Sequence, residues 1–158
     1  MFLLLIMLLV GQDVAGMSIA SRTPAIGEII HSIQSTTLNG DTQYSPDKAY
    51  DDDTESRSIT NPAANPWYRA WLNTDTTVMI MSLHLTIHNY SITNEYTVHV
   101  IDGQAGKRKC STFGTHKTGR HEQIVGCGLE GVGFEISLSK GGSKTELRIY
   151  DLKLDILL

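Results

Sequence analysis

A chain of 158 residues has room for one domain with a substantial core and not for two. Its formal charge of −4, with no basic stripe, argues against a nucleic-acid partner.

The first ten residues, Met-Phe-Leu-Leu-Leu-Ile-Met-Leu-Leu-Val, are all apolar. The run is too short to span a bilayer and matches the apolar region of a secretory signal peptide, with small residues for cleavage at Val14-Ala15-Gly16. The expectation is a signal peptide over 1–16, one mature domain over 17–158 and an extracellular location. A buried N-terminal strand or a short anchor is the alternative.

Ile29, Ile30 and Ile33 suggest a short strand, and the Ser, Thr, Asn and Gly of 34–44 a loop. From Ser45 to Glu55 the chain packs Asp47, Asp51, Asp52, Asp53 and Glu55 into one stretch. Crowded carboxylates repel unless they are fully solvated or share a cation, and hard oxygens on a bent loop are what Ca²⁺ selects. An EF-hand does not fit: Ser56 stands where the turn needs Gly, and Pro62 where the bidentate Glu belongs. A calcium site here needs a distant partner, for which Tyr150-Asp151 is the candidate.

Two Asn-Pro steps between Asn61 and Pro66 mark a connector. Trp67-Tyr68-Arg69-Ala70-Trp71-Leu72 reads as a strand whose aromatics fill the core. Met79, Met81, Leu83, Leu85 and Ile87 alternate with Ile80, Ser82, His84, Thr86 and His88, a period of two with one apolar face. Tyr96, Val98 and Val100 repeat the pattern up to an Asp102-Gly103 turn. Further strands are expected at 122–127, 134–138 and 147–156, with a turn at 140–143. Many short strands without helical periodicity predict an all-β, single-domain jelly-roll β-sandwich.

In an oxidising compartment Cys110 and Cys127 form an even pair at bridging separation; two buried free thiols are the alternative. Asn89-Tyr90-Ser91 is an N-glycosylation sequon if the chain is secreted. Catalytic signals are lacking. There is no His-Glu-x-x-His and no Gly-x-Ser-x-Gly, and His84 and His88 lie roughly 13 Å apart at a strand's rise per residue. The carboxylates crowd one loop rather than flank a cleft. The expectation is therefore a protein that is not an enzyme.

From residue 31 onward the chain resembles an F5/8 type C (discoidin) domain and, within that galactose-binding-like superfamily, an F-type lectin (fucolectin). Ser32-Ile33-Gln34-Ser35-Thr36-Thr37 resembles the family's Gln-Ser-Ser-Thr opening. Lys48-Ala49-Tyr50-Asp51 followed by Asp52-Asp53 resembles Ala-x-Asp-Gly-Asn. Asn65-Pro66-Trp67-Tyr68-Arg69-Ala70-Trp71-Leu72 resembles Pro-Trp-Trp-x-Val-Asp-Leu. Ile149-Tyr150-Asp151-Leu152-Lys153-Leu154 resembles the closing Leu-Cys-Glu-Val-Glu-Val.

The resemblance implies a galactose-binding-like jelly roll and a structural Ca²⁺ held by the carbonyls of Lys48, Asp53 and Tyr150, the side chain of Asp51, Ser56, and the Asp151 carboxylate. It implies a bridge between Cys110 and Cys127, and places a second family disulfide at Arg57 and Tyr150, both cysteines being replaced together. The family's fucose-gripping His falls on or near Ile59, its first Arg on Tyr90 and its second on Tyr96 or Thr97, so fucose is expected to bind no tighter than millimolar. Ile59, Tyr90, Ile92 and Tyr96 are expected to form an apolar rim at one end of the barrel that meets a glycan or glycoprotein ligand. A discoidin-like adhesion module docking on protein or lipid head groups is the runner-up.

Overall fold

The structure, a computed structural model, describes residues 24–104, 106–140 and 145–158. The expected signal peptide lies outside the described residues, as does the turn at 140–143 apart from Lys140. Among the described residues ten strands form two antiparallel sheets: β1 (Pro24–Ile26), β2 (Ile29–Gln34), β3 (Ser58–Ile59), β4 (Trp67–Leu72), β5 (Val78–Asn89), β6 (Glu95–Ile101), β7 (Lys107–Gly114), β8 (Gly119–Gly131), β9 (Gly133–Lys140) and β10 (Arg148–Leu157). The first sheet runs β1-β10-β5-β8, with β3 also on β10; the second runs β2-β4-β9-β6-β7. This is the predicted β-sandwich.

Alternation fills the space between the sheets. Tyr68, Ala70 and Leu72 of β4, Tyr96, Val98 and Val100 of β6, Phe134, Ile136 and Leu138 of β9, and Leu152, Leu154 and Ile156 of β10 are all buried there. On β5 the expected apolar face changes phase. Val78 and Ile80 point inward, then Leu83, Leu85 and Ile87 do, while Met81 is 42% exposed. The cause is a β-bulge in the pairing with β10, where Ile80 and Ser82 face the adjacent Ile156 and Asp155 and Met81 is the extra residue. An extra residue on one strand turns every later side chain to the other face.

The expectation that the β4 aromatics fill the core holds for Tyr68 and fails for the tryptophans. Trp67, Arg69 and Trp71 are the outward, half-buried members of the strand. Arg69 stacks over the Trp67 ring at 4.4 Å, and His31 of β2 stacks on Trp71 with ring centroids 5.3 Å apart. Next to them Glu135 is 5% exposed, held by Arg69 Nε and by Lys107 Nζ at 3.0 and 3.1 Å. Burial by itself raises the Glu135 pKa; the hydrogen bonds from Arg69 and Lys107 outweigh it and hold the carboxyl below its ordinary 4.5. A depressed folded pKa contributes stability above the unfolded pKa, lost as pH falls through the folded one. The margin of the native protein over Glu135→Gln should therefore be full near neutral pH and vanish in the acid limb below about pH 4, as measured by denaturation at stepped pH.

Cys110 of β7 and Cys127 of β8 are disulfide-bonded. β7 is the outer strand of one sheet and β8 of the other, so the bridge fastens the two sheets along their open side. Closing a loop of this length stabilises by about 3 kcal/mol in the chain-entropy model. Cys110→Ser/Cys127→Ser should show that loss by denaturation, and the native protein should take up no alkylating mass without reductant.

Candidate functional site

At one end of the sandwich the chain leaves β5 at Asn89 and returns in β6. Asn89 is wholly buried; its amide donates to Thr115 Oγ1 and to the Lys117 carbonyl at 2.7 Å, and its Oδ1 accepts from the Tyr96 hydroxyl at 3.3 Å. A side chain so placed ties the β5–β6 and β7–β8 turns together. It cannot also be a glycan acceptor, so the sequon at Asn89 is a structural asparagine rather than a modification site.

The next residue, Tyr90, is 43% exposed. It lines an open cavity of about 480 Å³ with Pro62, Thr145, Glu146 and Arg148. The Tyr90 hydroxyl donates to Glu146 Oε1, which also accepts from Arg148 Nη2 at 2.5 Å. The Arg148 guanidinium sits 5.4 Å from the centre of the Tyr90 ring, and the His88 ring packs behind it at 4.6 Å. Burial, then the adjacent Arg148 charge, hold the His88 pKa below 6.5, so at neutral pH the imidazole is uncharged. Burial and Glu146 push the Tyr90 phenol upward, keeping it a proton donor. Arg148 Nε is buried with no hydrogen-bond partner. The cavity thus combines one aromatic face, one carboxylate and one guanidinium.

The expected apolar rim is corrected at two positions. Ile59 is 1% exposed: it pairs with Arg148 across β3–β10 and faces inward. Tyr96 is 1% exposed and stacks on Phe113 at 5.3 Å between ring centres. Both lie on strands at inward positions of the alternation, so neither reaches a ligand. Tyr90 and Ile92 (63% exposed) remain at the surface. Glu146 and Arg148 were missed because they lie more than fifty residues from Tyr90 along the chain. Their signal was the alternation in Glu146-Leu147-Arg148, which sets two charged side chains on one face just before Tyr150.

The acidic loop lies beside this end. Gln34 of β2 anchors its approach by donating to the carbonyls of Tyr44 and Ile59, both at 3.1 Å, and Tyr68 donates to the Pro46 carbonyl at 3.1 Å. A 3₁₀ turn at Pro46–Ala49 then packs on β10. Four of the six expected calcium ligands converge. Ser56 Oγ lies 2.6 Å from Asp51 Oδ1 and 3.1 Å from each of the Lys48 and Asp53 carbonyl oxygens. A hydroxyl has one proton, so it satisfies one of three acceptors; the others face it oxygen to oxygen. The Asp53 carbonyl also accepts from the Ser56 amide at 3.1 Å and Asp51 Oδ1 from the Asp53 amide at 3.2 Å; gathered oxygens of this kind are the donor type a hard cation suits.

Asp52 adopts φ 59, the left-handed conformation for which the resembled family uses glycine and which Asp tolerates. Burial raises the Asp51 pKa, but bonds from Ser56, Lys48 and the Asp53 amide prevail and hold it below 3.8. Among the described residues no three His, Cys, Asp or Glu side chains form a metal cluster, so any cation here rests on carbonyl and hydroxyl oxygens as well.

The other two expected ligands sit on β10. Tyr150 is the extra residue of a bulge between Ile149 and Asp151. Its ring lies between two guanidiniums, Arg57 at 5.7 Å and Arg120 at 4.3 Å. The positions of the family's second disulfide therefore meet, as a cation over a ring. Arg120 also donates to the Thr54 carbonyl at 2.6 Å, clamping the loop to this strand. The Asp151 carboxylate accepts from the Leu152 amide at 3.0 Å and shares a surface cavity with Thr54 and Arg120, on the outer face opposite Thr86.

No protein-family model matches the sequence, and a search of curated proteins finds no match. Solved structures do match in fold. The family 32 carbohydrate-binding module of C. perfringens NanJ, in complex with galactose, aligns at 13% identity over 83% of this chain and 99% of its own, with a TM-score of 0.66. The F-lectin (fucolectin) from Morone saxatilis (striped bass) serum aligns at 17% identity over 81% of this chain and 45% of that longer one, with a TM-score of 0.65. The lectin binding domain of Lectinolysin, complexed with Lewis b, aligns at 16% over 79% and 90%, with a TM-score of 0.61. The chain has the galactose-binding-like β-sandwich fold that these carbohydrate-binding modules and lectins share.

Proposed function

We propose that this protein is a non-catalytic, extracellular carbohydrate-binding module that takes a sugar in the Tyr90–Glu146–Arg148 cavity and is stabilised by a structural Ca²⁺ in the Lys48–Ser56 loop. The observation that carries the reading is the cavity's composition. A half-exposed ring offers an apolar face for the carbon–hydrogen side of a pyranose. Glu146 and Arg148 offer an acceptor and planar donors for its hydroxyls. The neighbours of the same fold are carbohydrate-binding modules and lectins, which supports glycan as the ligand class.

The family's usual fucose contacts have no counterpart at Ile59 and Tyr96, both buried, so the fucose site is read as degenerate and another hexose as the ligand. A glycan array followed by calorimetry tests this. Arg148→Met should weaken the best hit by about 10- to 100-fold, the value of one charged hydrogen-bonding group. An array blank for the native protein, with binding to liposomes, would replace the lectin reading by the adhesion-module one.

A further inference from the structure

The outer face of the second sheet carries a groove that the cavity at Tyr90 does not include. In register across the strands, Trp71 of β4 pairs with Gly133 of β9, Gly133 with Ile101 of β6, and Ile101 with Lys107 of β7. A side chain at Gly133 is excluded, since its Cβ would lie 2.3 Å from the Ala70 carbonyl oxygen. Beside this row a trough of about 300 Å³ lies between Trp71 and the Ile101–Lys107 wall, with Arg69, Asp102 and Val132 also lining it. Trp71 and Ile101 stand two strand spacings apart, roughly 9.6 Å, room for one sugar ring against an indole.

Charge at the trough is fixed in place. Buried Glu135 holds both Arg69 and Lys107, so two cations share one anion. Arg69 is bound through Nε, which leaves its terminal nitrogens for another acceptor. Asp102 also lines the trough and accepts from the amides of Gln104 and Gly106 at 2.9 and 2.7 Å, both through Oδ1. A pyranose bearing an anionic substituent would place its apolar face on Trp71 and its charge toward Arg69 and Lys107.

We propose that this groove is a second glycan subsite, specific for acidic sugars and represented first by uronate residues, with Trp71 as the platform and Arg69 and Lys107 as the carboxylate partners. Glu135 is a positioning residue, fixing the two cations.

The chain has two tryptophans and both lie on this face, so indole fluorescence reports on it and not on the Tyr90 cavity. The experiment titrates the native protein with trigalacturonate, its methyl ester and a sulfated galactan, following fluorescence with Trp67→Phe as a background in which Trp71 is the sole indole. Trigalacturonate should perturb the emission and bind more weakly at high salt, while the neutral ester should bind at least tenfold more weakly, the value of one charge-assisted contact. Trp71→Ala should cost about tenfold, the value of a stacked ring, and Lys107→Met a similar factor. Arg148→Met should change neither, which separates failure here from failure at the Tyr90 cavity. Should Trp71→Ala not fold, the native fluorescence titration and Lys107→Met decide alone. Response to the sulfated galactan but not to trigalacturonate would keep the anionic groove and reassign its ligand from carboxylate to sulfate. Equal binding of acid and ester would remove the charge specificity. Binding without any indole response, or no response to either anion at millimolar concentration, would overturn the proposal.

Discussion

Tyr96→Ala should destabilise the protein by about 3–5 kcal/mol, the cost of emptying a buried aromatic site, and act on ligand binding only through that loss. Tyr96 is the second residue of β6, stacked on Phe113, with its hydroxyl on the buried Asn89 amide. Truncation removes the ring's contacts with the core and also one partner of Asn89, whose amide organises two turns. Burial pushes the Tyr96 phenol upward despite its polar neighbour Asn94, as expected of an interior tyrosine. Tyr90→Ala is the control, because that ring is 43% exposed. It should change stability by no more than about 1 kcal/mol and abolish the glycan signal. Urea denaturation of both variants, with calorimetry on the best array hit, reads the contrast. A stable Tyr96→Ala that loses ligand would put Tyr96 back at the binding surface.

That contrast marks what the sequence could and could not deliver. Alternation along 79–88, 95–101 and 134–138 identified strands and sheet class, because burial on one face imposes a period of two whatever the partner strand is. It could not place the bulge at Met81, since a bulge is a property of a pair of strands and Met suits either face. β7 escaped notice because Lys107-Arg108-Lys109 opens it: the edge strand of a sheet tolerates charge and shows no apolar stripe. Trp67 and Trp71 were expected inside because indoles are mostly apolar, yet on β4 the inward positions belong to Tyr68, Ala70 and Leu72. The Tyr90 cavity was half visible. Tyr90 followed from the resemblance, whereas Glu146 and Arg148 lie just before and at the start of β10, which pairs with β5 only after folding. Ile59 and Tyr96 were placed on the rim by aligned position, and position in an alignment carries no information about which face a residue presents.

The other large effect concerns calcium. If the Lys48–Ser56 oxygens hold Ca²⁺, an ion that binds only the folded state should add about 2.7 kcal/mol at a hundredfold excess over its Kd, roughly 10 °C in melting temperature for a domain of this size. The geometry also specifies how. Lys48 Nζ lies 3.1 Å from Asp51 Oδ2, while Oδ1 faces Ser56 at 2.6 Å. One carboxylate oxygen is therefore occupied by the ammonium and the other is directed into the cluster, so Asp51 is expected to bind through Oδ1 alone. Asp51→Ala removes that oxygen and should abolish the calcium-dependent shift. Ser56→Ala removes the hydroxyl that touches all three of the other oxygens and should reduce the shift without eliminating it. Asp151→Ala separates two arrangements. Loss of part of the shift would mean that β10 contributes to the coordination. An unchanged shift would mean that Asp151 serves only the surface beside Thr54 and Arg120, where its carboxylate already has the Leu152 amide. Differential scanning calorimetry in millimolar calcium and in chelator measures all four proteins. Coincident melting curves for the native protein in the two buffers would leave the loop as an acidic turn held by Lys48 and Arg120, with no ion in its structural role.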